Sequence, residues 1–174
     1  MKTKRIARDA VFAAIALTIF MVELQIPSLV PIPGVKLGLA NIITVVTMFL
    51  LGPGDTLMIL LVRILLGSIF SGQMMSLLYS LTGGLLCYLI MLLLRKILTR
   101  KQIWASSVIG AVFHNIGQIG VAMIVTGTPG IVIYLPILLV SGIISGTFTG
   151  LCAQFVVHRL ENTIEACPEQ EQPD

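Results

Sequence analysis

Apolar residues run along this chain in long blocks, separated by turn formers. None of the blocks alternates apolar and polar residues with the period of two that a half-buried strand requires. Blocks near 20 residues long suit helices crossing a bilayer, whose apolar core needs about that length. Six segments are predicted. The first covers about 8–26 and is stopped by Pro27. The second, about 35–51, is stopped by Gly52-Pro53-Gly54, and the third, about 55–70, ends at Ser71-Gly72. The fourth covers about 74–94, and the fifth, about 103–125, is stopped by Gly127-Thr128-Pro129-Gly130. The sixth covers about 131–160. The stretch 161–174 is acidic, contains two prolines and reads as a disordered cytoplasmic tail. The expected organisation is a six-helix membrane domain, 1–160, and that tail.

Composition supports this picture. Hydrophobic residues make up 56% of the 174 and charged ones 11%, against roughly 25% charged in a soluble domain. The mean hydropathy is +1.01. The expected class is therefore an all-α integral membrane protein with six transmembrane helices. Orientation follows from the basic residues. Lys2, Lys4, Arg5 and Arg8 precede the first helix, Arg95, Lys96, Arg100 and Lys101 separate the fourth and fifth, and Arg159 ends the sixth. Six crossings put all of them on one side, so both termini are expected in the cytoplasm. The basic N-terminus resembles a signal peptide, but its long apolar run lacks a small-residue cleavage site and reads as a retained helix. Cys87, Cys152 and Cys167 lack metal-ligand spacing.

Two cations fall outside that pattern: Lys36, at the outer mouth of the second helix, and Arg63, in the middle of the third. A charge at bilayer depth costs at least ~2.5–3.5 kcal/mol, so each needs a partner or a purpose. The other polar residues collect at the same depth: Glu23, Asn41, Gln73, His114, Asn115, Gln118 and Tyr134. Together they suggest a substrate pocket open to the outside. His114 and Gln118, four apart, share a helix face, and Asn115 adjoins it. The alternatives are interhelical hydrogen bonding for this cluster, an ion pair with Glu23 for Arg63, and snorkelling for Lys36. If both cations face the pocket, the natural substrate is anionic. A single histidine without a second ligand gives no metal site.

Pro31-Ile-Pro-Gly34 reads as a lid hinge ahead of the second helix. Two small-residue patterns point to close helix contact. Gly142, Gly146 and Gly150 form a ridge suited to internal packing. Ala10 and Ala14 suit either packing or the docking of another membrane subunit.

Four segments carry a family resemblance: 33–42 (PGVKLGLANI), 63–72 (RILLGSIFSG), Gly83-Gly84, and 110–118 (GAVFHNIGQ). They resemble the Gx transporter family, often labelled heptaprenyl diphosphate synthase component I and related to the S components of energy-coupling factor (ECF) transporters. The resemblance covers about residues 5–160. It implies an S-component-like bundle with a substrate pocket near the outer surface, capped by the loop between the first two helices. It also implies that Ala10 and Ala14 dock on a transmembrane coupling subunit, and that separate ATPase subunits use the ATP. The chain has no phosphate-binding loop of its own. No cofactor and no enzymatic activity are expected in this chain, and the membrane is expected to be a prokaryotic plasma membrane. The substrate is not fixed by the resemblance; the family's label points to an isoprenoid or quinone precursor.

Two other readings compete. A prenyl diphosphate synthase needs clustered aspartates for magnesium, whereas Asp9, Asp55 and Asp174 stand far apart, which leaves a non-catalytic associate of such a synthase. A solitary carrier would favour midplane acids and an inverted repeat, neither of which the sequence displays.

Overall fold

The computed structural model of the chain describes residues 2–26, 38–72, 74–99 and 102–166. Six helices follow in order: α1 (Lys2–Glu23), α2 (Asn41–Leu50), α3 (Pro53–Ser71), α4 (Met74–Leu94), α5 (Ile103–Thr126) and α6 (Leu135–Ala166). A 3-10 turn, Pro129–Tyr134, leads into α6. The helices α3, α4, α5 and α6 are long and apolar enough to cross a membrane. The chain is a multi-pass membrane protein.

The bundle is built around its shortest member. Seven consecutive residues of α2, Ile43 to Phe49, are buried, so the helix is covered on every side. A helix that is apolar all round belongs in a core. It packs on α1, α3, α4 and α6. Val45, Val46, Met48 and Phe49 meet Leu60 and Ile64 of α3, Tyr88 and Met91 of α4, Ile103 of α5, and Ala153 and Val157 of α6. Ile43 joins Ala13 and Ala16 of α1 and Ile59 of α3.

The predicted start of this helix at residue 35 is corrected by the structure. Gly38 has φ +74°, a left-handed conformation no helix contains, and residues 39 and 40 form a turn. The helix begins at Asn41 and rises about 15 Å over ten residues, roughly half the ~30 Å apolar thickness. The ten-residue helix is therefore too short to cross the apolar layer by itself. The first helix ends at Glu23 instead of residue 26. The last begins at Leu135, after the 3-10 turn, and continues to Ala166, so 161–166 extend the helix beyond the expected boundary at 160. The remaining ends match the turn formers in the sequence: Gly52 precedes Pro53 at the start of α3, and Gly72 and Gly127 close α3 and α5 in left-handed conformation.

At the end of the bundle that holds Arg5, Arg8 and Arg95, buried Asp55 ties α1 to α3. Its Oδ1 accepts from Arg5 Nε at 2.8 Å, and its Oδ2 accepts from Arg8 Nη2 at 2.5 Å. Tyr88 donates to the Pro53 carbonyl at 3.1 Å, joining α4 to the same corner. Both α1 and α3 are thus anchored at the basic end, and α1 carries its C-terminal Glu23 to the mouth of α2.

Candidate functional site

The C-terminus of α1 places Glu23 against the residues that open α2. Its carboxylate accepts from the Gly38 amide at 2.5 Å and the Ala40 amide at 3.4 Å. A carboxylate on amides that precede a helix is favoured by the helix dipole. Glu23 is 6% exposed, and both bonds are charge-assisted, so the contact fixes residues 38–40 against the end of α1.

Arg63 lies halfway along α3 and is also 6% exposed. Glu23 is within electrostatic reach, yet no ion pair joins the two. The Glu23 carboxylate is committed to backbone amides instead. Arg63 Nε is buried with no hydrogen-bond partner among the described residues. Arg63 lines a cavity of about 10 Å³ with Phe20, Ile64, Ser68 and Ser80. That volume holds about one water. Gly67 allows the wall to close: a Cβ there would lie 2.9 Å from the Phe20 ring.

A second cavity of about 10 Å³ opens beside the mouth of α2. Gly38, Asn41, Val45, Cys87, Ser107, Ala111, Ser145 and Thr149 line it. Asn41 thus faces hydroxyl groups of α5 and α6, where Ser107 and Thr149 share a hydrogen bond at 3.1 Å. Sequence reasoning missed Ser68, Ser80, Cys87, Ser107, Ser145 and Thr149 as lining residues. The available signal was the i, i+4 spacing of Ser145 and Thr149, which puts both hydroxyls on one face.

The polar run on α5 divides between two neighbours. His114 packs on α4, where a Cβ at Gly83 would lie 3.0 Å from its imidazole. Asn115 turns to α6 and donates to the Leu138 carbonyl at 2.6 Å, which is the interhelical bond anticipated as one alternative. Gln118 is buried. Neither cavity described above is lined by these three residues. Tyr134 sits in the 3-10 turn, 43% exposed. Lys36, Gln73 and the hinge Pro31–Gly34 lie outside the described residues. The structure therefore places Glu23 between the segment 38–40 and Arg63, puts Asn41 and Arg63 in separate cavities, and holds Asn115 in a helix contact.

The family model described as heptaprenyl diphosphate synthase component I matches residues 12–156. The chain belongs to the heptaprenyl diphosphate synthase component I family. A search of solved structures finds a similar fold in the S component of a bacterial ECF transporter. The likeness has a TM-score of 0.68 at 21% identity and covers 94% of this chain and 99% of the other. No curated protein matches.

Two small-residue patterns of this family member have opposite surroundings. Ala10 and Ala14 are exposed, while their neighbours Ala13 and Ala16 are buried in the bundle. The glycine ridge of α6 is closed against α5. A Cβ at Gly142 would lie 2.6 Å from the Asn115 amide nitrogen, one at Gly146 2.9 Å from Val108 Cα, and one at Gly150 2.7 Å from Trp104 Cα.

Proposed function

We propose that this chain is the substrate-binding membrane subunit, or S component, of an ECF-type importer. It captures a small molecule from outside the cell at the mouth of α2. A membrane coupling subunit docks on the Ala10–Ala14 face of α1, and separate ATPase subunits supply the energy. The observation that carries this reading is the presence of buried Glu23 and Arg63 and of the cavity-lining Asn41 inside the bundle, in a fold that an S component shares over 99% of its length. A binding site of this kind requires no continuous polar channel, so release on the far side needs a movement that a partner can drive. With both termini in the cytoplasm, the loop before α2 faces the outside of a prokaryotic plasma membrane.

The family's description favours a second reading, a non-catalytic associate of a prenyl diphosphate synthase. Of the aspartates that a magnesium diphosphate site would need, Asp9 and Asp55 are held by arginines at the basic end. Affinity purification from native membranes separates the two readings. A coupling subunit with ATPases, and a small molecule detected by mass spectrometry, is the expected outcome. Recovery of a prenyl synthase without them would replace the importer reading with the second one.

A further inference from the structure

Arg63, buried halfway along α3, forms no ion pair among the described residues, and this bears on the kind of molecule the site takes. Arg63 is 6% exposed, and its Nε has no hydrogen-bond partner among the described residues. The acid within electrostatic reach is Glu23, whose carboxylate is occupied by the Gly38 and Ala40 amides. Removing a guanidinium from water without a paired charge is costly, so an oxyanion that enters gains much of that cost back. Nε and an adjacent Nη form the fork that binds carboxylate or phosphate oxygens through two parallel bonds.

We propose that Arg63 is the receptor for an oxyanion on the substrate, and that the substrate is an amphiphile with an apolar body. This rests on the substrate-binding reading above and deepens it. The walls of the cavity specify both parts. Arg63 and the hydroxyls of Ser68 and Ser80 supply the polar end, and Phe20 and Ile64 supply an apolar surface. The cavity has room for about one water, so the oxyanion takes that place and the Phe20 wall moves outward as the apolar body follows. Phe20 stands one helical turn before Glu23 on α1, so this movement acts on the residue that holds the Gly38 and Ala40 amides. Occupancy at Arg63 is thereby coupled to the segment entering α2.

The test uses the full chain in nanodiscs of zwitterionic lipid, so that no anionic lipid can serve as the ligand. Equilibrium dialysis measures octanoate, octyl phosphate and neutral octanol against wild type, Arg63→Lys and Arg63→Met. Wild type is expected to bind at least one anion about tenfold or more tightly than Arg63→Met, while octanol distinguishes no variant. The preferred anion decides between carboxylate and phosphate, and Arg63→Lys, which keeps charge without the fork, falls between the other two. Equal anion binding by wild type and Arg63→Met overturns the proposal. So does a parallel loss of octanol, which would indicate pocket shape in place of charge. Thermal melting supplies the structural control: Arg63→Met is expected to melt no lower than wild type, because it removes an unpaired buried cation. A clearly lower melting temperature would make Arg63 a structural residue and end the proposal. Co-purification of coupling subunits with Arg63→Met tests the importer reading separately, since Arg63 lies away from the Ala10–Ala14 face.

Discussion

Substitution of Gly150 by alanine tests the packing that holds α5 against α6. The added Cβ would lie 2.7 Å from both Ser107 Cβ and Trp104 Cα, and 2.9 Å from the Trp104 carbonyl oxygen. Those distances fall about 0.5–0.7 Å short of the 3.4 Å at which ordinary contact begins. Two of the three atoms are backbone and cannot rotate away, so the helices themselves must separate. Overpacking of this kind costs about 1–3 kcal/mol, and the rigid obstacle points to the upper part of that range. Replacing glycine within a helix returns about 0.5–1 kcal/mol. The net loss is about 2 kcal/mol, a fall in melting temperature of roughly 4–8 °C for a chain of this size. Gly120, on the same α5, is the control: a Cβ there meets nothing within 4 Å, so Gly120→Ala is expected to gain about 0.5–1 kcal/mol. Scanning fluorimetry in detergent measures both. If Gly150→Ala melts at or above wild type, or if the two variants shift in the same direction, the account of the ridge as a close backbone contact is wrong.

Three further perturbations address the remaining parts of the bundle. Glu23→Ala leaves the Gly38 and Ala40 amides without their charged acceptor and is expected to cost about 1.5–3 kcal/mol in thermal melting; an unchanged melting temperature would show that this clamp does not hold the entry to α2. Asp55→Asn is expected to lower the melting temperature, with the difference from wild type shrinking as salt is raised, because Arg5 and Arg8 are 63% and 43% exposed and their attraction is screened. A salt-independent difference would assign the effect to packing. Ala14→Leu is expected to leave the isolated chain's melting unchanged, because Ala14 is exposed, while reducing recovery of a coupling subunit in pull-down; undiminished recovery removes α1 as the docking face.

Much of the architecture can be read from the chain because the bilayer leaves few choices. Apolar blocks become helices, since backbone groups in lipid must bond internally. Gly52-Pro53, Ser71-Gly72 and Gly127-Thr128-Pro129 end them where the sequence indicates. The start of α2 could not be read in this way. Val35 to Ala40 are as compatible with a helix as Asn41 to Leu50, and the left-handed turn at Gly38 is stabilised by Glu23, fifteen residues earlier. The polar cluster on α5 shows the same limit. His114 and Asn115 are adjacent in sequence but sit on different neighbours, because consecutive helix residues diverge by about 100°.

The sequence by itself determined the membrane class, the number of helices and the rarity of buried charge, since each follows from composition and from the cost of polar groups in lipid. It also identified Glu23, Asn41 and Arg63 as residues requiring an explanation. Only the tertiary structure decided which explanation each receives. Glu23 is satisfied by backbone amides, Asn115 by a carbonyl of α6, and Arg63 Nε by no described residue. The reason is physical: the need for a partner is a property of a residue type, whereas its satisfaction depends on which atoms of distant segments come within 3 Å.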